Sequence, residues 1–303
     1  PVKKTQPAEI TDAGLKKLYG YQHADGGWGW WSDDPTDIYM TAYTLWGFNE
    51  AAKAKISVDK QAIKKGVKYL SEQLTLQAAK DTKESYALHR LIFAQSVMLG
   101  LQPKSALAEK IKVDWAELMK GGYNNPSGLA LILSGATTAQ AAELKSTALG
   151  LLAKQAKSNA AGTYFEIRER DGYYYWYNDR EETTAQVLNA LLSAGAQKQI
   201  AVRDVVSYLM AQKKQHRWRS TKLSALITRG FAAYALQTGE KPGKTRVTAV
   251  VDGERRDVEY DPKKSDAQAL KLVFKTKGRD ANVRVERSGS GYFQARAEWK
   301  HYL

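Results

Sequence analysis

A degenerate repeat running through the first 239 residues limits the fold more than any other feature of this chain. One element of it is a helix that closes in an aromatic residue or Leu, followed four positions later by Gln. The copies are Leu18/Gln22, Tyr69/Gln73, Leu151/Gln155 and Tyr208/Gln212. That spacing places both side chains on one helical face. A second element follows some of these: an aromatic loop, then a helix opening with a small pair. It occurs as Trp28…Thr41-Ala42…Leu45…Phe48, as Trp176…Thr184-Ala185…Leu188…Leu191 and as Trp218…Ser224-Ala225…Thr228…Phe231. A small residue on the inner face lets two helices approach closely, while Leu or Phe further along fills the core. Helix, loop, helix, repeated, predicts an α/α toroid or solenoid. Five hairpins are counted, with the repeat irregular in the middle.

Helical periodicity shows in Tyr39, Tyr43, Trp46 and Ala51, and again in Ile63, Val67, Leu70 and Leu74. Breaks fall at Asp33-Asp34-Pro35, from Gly100 to Pro103, at Gly121-Gly122 and at Asn124-Asn125-Pro126. About ten helices of ordinary globular length fit between them. After Thr238-Gly239 the period drops from 3.6 to 2. Val247, Ala249 and Val251 alternate with polar residues, and Asp252-Gly253 supplies a tight hairpin turn. Leu270, Leu272 and Phe274 alternate as well, then Val283 and Val285, then Phe293, Ala295, Ala297 and Trp299. One apolar and one polar face per strand predicts an antiparallel sheet with one side against a core. The expected chain is mainly α with a β tail: residues 1–239 a helical α/α toroid, residues 240–303 a small antiparallel β domain.

Composition removes several chemistries. With no cysteine, a disulfide scaffold, a thiolate metal site, a Cys nucleophile and an internal thioester are absent from these residues. No phosphate loop, dinucleotide fingerprint or Gly-x-Ser-x-Gly elbow is present. His23, His89, His216 and His301 lie far apart, without metal-ligand spacing. No metal, cofactor or catalytic residue is therefore assigned. No run approaches the roughly 18 apolar residues of a membrane span. The net charge of +14 raises the question of a nucleic-acid or anionic-surface partner. Lys and Arg are spread along every segment, however, and the densest group (Lys213, Lys214, His216, Arg217, Arg219) sits at helix ends, where cations are ordinary. A basic solvated surface is the expectation, with no nucleic acid. The first residue is Pro1 rather than Met, as expected of a processed chain or an excised piece.

The strongest local signal is Gln22-His23-Ala24-Asp25-Gly26-Gly27-Trp28-Gly29-Trp30-Trp31. Asp-Gly-Gly makes a tight turn in which glycine takes positive φ, and Gln22 is placed to hydrogen-bond the loop backbone. Gln22, Asp25, Gly26, Gly27, Trp28 and Trp218 are read as structural staples tying one helix of a hairpin to the next. An aromatic platform for a sugar, a hydrocarbon or a peptide is the other reading. Tyr173, Tyr174, Tyr175, Trp176 and Tyr177 are consecutive aromatics that cannot all face one core. With Trp30 and Trp31 they are the interaction-surface candidates. Carboxylates cluster beside both loops: Asp33, Asp34 and Asp37, then Asp171, Asp179, Glu181 and Glu182. Helix starts account for most of them, because anionic side chains satisfy free amides there.

The run from Gln22 to Trp31, followed by Thr41-Ala42-Tyr43-Thr44-Leu45-Trp46-Gly47-Phe48, resembles the helical thioester domain of α2-macroglobulins and complement-like proteins in their bacterial form. Tyr208-Leu209-Met210-Ala211-Gln212…Arg217-Trp218-Arg219-Ser220-Thr221…Ala232-Ala233-Tyr234-Ala235 is similar to that domain's closing hairpin. Gly289-Ser290-Gly291-Tyr292-Phe293…Trp299-Lys300-His301-Tyr302 resembles the β segment after it, where the chain returns to a CUB-like domain. The loop motif also resembles the repeat of terpene cyclases, but their Asp-rich signature is not present here.

The resemblance implies a protease trap acting after bait-region cleavage, in many members through a Cys-x-Glu-Gln thioester. With no Cys, no thioester residue carries over to this chain. A toroid of this type has six hairpins, so the motif and its hairpin are expected before Pro1 or lost. Three functions follow as expectations. The first is a non-catalytic C-terminal part of a bacterial α2-macroglobulin-like inhibitor, in the periplasm or cell envelope. Its partners are the other domains of the parent chain and, through the whole molecule, target proteases. The alternative is an α/α-toroid glycosidase or lyase with Asp33, Asp34, Asp179 and Glu182 as acids and Trp30, Trp31, Tyr175 and Trp176 as sugar platforms. The third is an anionic-surface binder driven by charge.

Overall fold

The structure is a computed structural model. It describes residues 7–167, 180–213, 218–239, 243–261, 271–275 and 280–289. Ten α-helices lie among them: α1 (Pro7–Gly20), α2 (Ile38–Lys53), α3 (Lys60–Thr75), α4 (Ser85–Leu101), α5 (Ala106–Lys120), α6 (Pro126–Thr138), α7 (Ala142–Gln155), α8 (Arg180–Ser193), α9 (Val202–Ala211) and α10 (Thr221–Thr238).

Local chemistry sets the helix starts. The side chains of Asp37, Asp59, Ser105, Asn125 and Ser220 each accept backbone N–H groups that the first turn of a helix leaves without an intrahelical acceptor. Pro126, whose fixed φ suits a first helical residue, begins α6 directly after its Asn125 cap.

The even-numbered helices form an inner layer, α2 packing on α4, α4 on α6, α6 on α8 and α8 on α10. Odd-numbered helices lie outside them, which makes a toroid of five helical hairpins among the described residues. Apolar content follows position: α4, α6 and α8 bury residues around most of their circumference, whereas α3 buries only Ala62, Gly66, Leu70 and Leu74. One apolar cluster runs from Trp28 to Ile227. Small residues permit the close crossings. A Cβ on Gly230 would stand 2.8 Å from Leu188, and one on Gly135 would stand 2.7 Å from the Trp115 ring. One polar group inside the layer is fully paired: Asp114 accepts from the Ala79 amide at 2.6 Å and from Gln95 at 3.0 Å, and Gln95 accepts the Trp115 indole N–H at 2.6 Å. At the ends of the series α10 reaches α2 through side chains, with Arg229 at 3.3 Å from Glu50 and over the Trp46 ring at 5.6 Å.

In α2 the buried stripe is Thr41, Ala42, Thr44, Leu45 and Phe48. The aromatic stripe Tyr39, Tyr43 and Trp46 is half-buried, and Tyr39 and Tyr43 face Phe93 of α4 at 5.1 and 6.2 Å between ring centroids. Periodicity marks both stripes equally; packing decides which of them is the core.

The β structure departs from expectation in detail. A short hairpin, β1 (Lys157–Asn159) and β2 (Gly162–Tyr164), interrupts the helices and has no counterpart in the expected pattern. After α10 come β3 (Thr245–Val251), β4 (Glu254–Tyr260) and β5 (Val283–Gly289), antiparallel in the order β4-β3-β5. Asp252 and Gly253, both at positive φ, make the tight turn from β3 to β4. Val247, Ala249 and Val251 are buried, but so is Thr248 on the opposite face. Val283 and Val285, expected against a core, are 48% and 42% exposed, although they pair with the buried Val251 and Ala249 of β3. Residues 271–275 are not in a strand, contrary to the expected Leu270–Phe274 element, and Leu270 and the Phe293–Trp299 element lie outside the described residues.

Candidate functional site

The loop joining α1 to α2, from Tyr21 to Asp37, is built around Trp28. Gln22 Nε2 donates to the Gly26 carbonyl and to the Ala62 carbonyl of α3, both at 2.8 Å. The His23 amide donates to the Gly27 carbonyl, the Gly26 amide returns to His23, and Asp25 Oδ1 accepts from the Gly27 amide at 3.0 Å. Gly26 is required twice over: its φ is +96°, and a Cβ there would stand 2.6 Å from the Lys65 carbonyl oxygen.

Trp28 is 2% exposed. Its amide donates to Thr41 Oγ1 at 2.9 Å, the Thr41 hydroxyl donates to the Trp28 carbonyl at 3.3 Å, and the indole N–H donates to the Leu18 carbonyl at 2.7 Å. The ring meets Phe48 edge-on, centroids 5.8 Å apart at 73°. Thus α1, the loop and α2 are joined at one side chain. The last hairpin repeats the arrangement: the Trp218 indole N–H donates to the Leu209 carbonyl at 3.0 Å, and its ring meets Phe231 at 5.9 Å and 73°.

In the α8 copy, the place that sequence spacing allots to Trp176 belongs to Phe165. Thr184 Oγ1 accepts the Phe165 amide at 3.0 Å and lies 3.2 Å from its carbonyl, as Thr41 does for Trp28, and Phe165 is fully buried. Phe165 stands 19 residues before its threonine, against 13 for Trp28, so a longer loop conceals it. Trp176 lies outside the described residues, as do Tyr173, Tyr174, Tyr175 and Tyr177.

Trp30 and Trp31, in contrast, are 44% and 74% exposed. Asp34 accepts both of their amide N–H groups, at 2.9 and 3.1 Å. Two further acids are individually committed. Asp37 caps α2 through the Met40 amide at 2.9 Å and pairs with Arg90, whose guanidinium also lies over Tyr39 and Tyr86 at 5.4 and 5.3 Å. Glu182, in the first turn of α8, is buried against Lys222 of α10 at 2.6 Å. Burial raises the Glu182 carboxyl, against the pull of Lys222. Burial also works against the Lys222 charge, but Tyr39 and Glu182 outweigh it and raise the ammonium. His89 lies in the same region on α4, and burial with help from Lys222 lowers its imidazole to about 3, so it is neutral at ordinary pH. Asp33 is exposed, and Asp171 and Asp179 lie outside the described residues. Among the described residues no group of three or more His, Cys, Asp or Glu is placed to hold a metal ion, and no helix is long and apolar enough to cross a membrane.

A toroid of helical hairpins with stapled loops, followed by a small antiparallel sheet, defines a fold class that the comparisons identify. The family model for the A-macroglobulin TED domain matches residues 2–90. The alpha-2-macroglobulin of Thermotoga maritima is 34% identical over 106 residues, a stretch that covers 33% of this chain and 7% of that protein. The likeness is therefore to the α2-macroglobulin family. Along the rest of the chain the likeness is one of fold. Native Escherichia coli alpha-2-macroglobulin, in a crystal structure spanning domain MG7 to the C-terminus, superimposes with a TM-score of 0.60 at 18% identity, covering 92% of this chain and 38% of that one. The native conformation of the same E. coli protein by cryo-EM gives 0.61 at 19% identity, covering 94% and 16%. Salmonella alpha-2-macroglobulin reacted with methylamine gives 0.62 at 16% identity, covering 92% and 16%. The chain thus spans well under half the length of each of these four matched chains.

Proposed function

We propose that the chain is the C-terminal, thioester-domain-like part of a bacterial α2-macroglobulin-like protease trap, and that it performs no reaction of its own. On this reading residues 1–239 and 240–303 are two domains, the second CUB-like. Gln22, Asp25, Gly26, Gly27, Trp28 and Trp218 hold the hairpins together. Trp30, Trp31 and the Tyr173–Tyr177 strip face other domains of a longer polypeptide, located in the periplasm or cell envelope. The carrying observation is the coincidence of the residue 2–90 family match with the stapled loop that lies inside it. The absence of cysteine means that any thioester chemistry of the whole molecule lies outside these residues.

The glycosidase reading loses support from geometry, since Asp34 is spent on loop amides and Glu182 on Lys222, whereas a glycosidase needs a carboxyl pair facing a substrate. The test is to add the longer polypeptide to an active endopeptidase and follow a large protein substrate and a small peptide substrate together. Trapping blocks cleavage of the first and spares the second. Undiminished cleavage of the large substrate, after the polypeptide itself has been cut, refutes the reading.

A further inference from the structure

The two exposed indoles of the first loop are displayed by a backbone that the fold holds in place. Asp34 grips both amides, and Gly29 has no room for a side chain, because a Cβ would collide with the Asp34 carboxylate and stand 2.9 Å from the Pro35 carbonyl. A loop selected only to bury its tryptophans would turn all three inward, as it turns Trp28. Instead Trp31 stands 74% exposed next to the exposed Asp33.

The charge of this segment is as unusual as its exposure. From Gln22 to Asp37 there are four Asp and neither Lys nor Arg, in a chain whose net charge is +14. With Asp37 neutralised by Arg90, Asp25, Asp33 and Asp34 still leave this segment acidic, so it is repelled by an anionic surface and complements a basic one. Exposed indoles are also the side chains that most often anchor protein interfaces. The solved chains of this fold are longer than the present one, which covers 38% or less of each of the three described above. Further domains are therefore available as neighbours in such molecules.

We propose that Trp31, flanked by Trp30 and Asp33, is a docking knob for another domain of the same longer polypeptide, seated in an apolar slot edged by Lys or Arg. The proposal rests on the reading that the chain is part of such a polypeptide. The experiment is hydroxyl-radical footprinting of the whole polypeptide, with Trp28 as the internal reference for a buried indole. Docked, Trp31 oxidises about as slowly as Trp28; undocked, it oxidises about tenfold faster or more. Fast oxidation of Trp31 in the intact molecule overturns the proposal, even where protease trapping is observed. The charge claim is read from Asp33→Lys, which is expected to release Trp31 to fast oxidation while Trp28 stays slow and so reports an intact hairpin. Continued protection of Trp31 in that variant overturns the basic edge. A photo-crosslinking residue in place of the exposed neighbour Ser32, which keeps Trp31, identifies what it docks to: a peptide of the same polypeptide supports the proposal, and a second copy or no protein at all overturns it.

Discussion

Thr41 clasps Trp28 with one hydroxyl, accepting its amide hydrogen at 2.9 Å and donating to its carbonyl at 3.3 Å. Both residues are buried, so these bonds are made where water cannot replace them. Trp28→Ala is expected to lower stability by about 3–5 kcal/mol through lost packing and cavity formation. Thr41→Val keeps the shape and removes the clasp; leaving the buried Trp28 amide unpaired is expected to cost about 1–3 kcal/mol. Urea unfolding of the two variants measures both, and an unchanged midpoint for Trp28→Ala would show that the loop is not a staple.

Phe165 fills the equivalent place before α8, and its truncation is expected to cost a similar amount, about 3–5 kcal/mol on Phe165→Ala. Thermal denaturation checks it. A melting temperature like that of the unaltered chain would mean that the equivalence with Trp28 is one of geometry without energetic consequence.

Gly66 of α3 lies under the Trp28 ring, where a Cβ would approach the indole to 2.7 Å and Leu45 to 3.0 Å. Alanine is the better helix former by up to about 1 kcal/mol, yet overpacking a filled core costs about 1–3 kcal/mol. Gly66→Ala is therefore expected to destabilise, although most exposed Gly→Ala changes in a helix stabilise. Gly47, on the exposed side of α2 with nothing near its Cβ direction, is the control. Denaturation midpoints moving in the same direction for both would sink the argument.

His89 ties stability to pH. Its folded pKa is about 3 against 6.5 for a free imidazole, so between those values the unfolded chain binds a proton that the folded chain refuses. Stability from this group is complete above about pH 6.5 and is lost as pH falls through the window toward 3. Its share of the loss between pH 7 and pH 5 is about 2 kcal/mol. His89→Gln removes the titration and should flatten that part of the curve. Equal slopes for the two proteins, followed by denaturation at each pH, would rule it out.

Much of the architecture was legible because local chemistry repeats. The Asn125-Pro126 start of α6, the Asp37 cap and the Asp252-Gly253 turn each act within a few residues, and each appears where the residues call for it. The i, i+3, i+4 periodicity located the helices for the same reason. By itself it did less well at choosing faces: Tyr39, Tyr43 and Trp46 are as periodic as Thr41, Leu45 and Phe48, and it was the repeated small pair followed by Leu or Phe that marked the second stripe as the inner one. In the loop from Gln22 to Trp31 the residue types announced a tight turn, with Trp28 read as the staple and Trp30 and Trp31 as surface, because both features are local to the loop.

What the residue order determined alone is the run of helices, their caps and turns, the change to extended chain after Thr238, and the absence of any thiol chemistry. These depend on short-range sterics and hydrogen bonds, or simply on which atoms are present. Tertiary structure decided that Phe165 takes before α8 the place that Trp28 takes before α2, and that Glu182 is held by a lysine 40 positions away. Those outcomes depend on which helices lie side by side, and that follows from burying all the apolar faces at once, a condition no short stretch of chain contains.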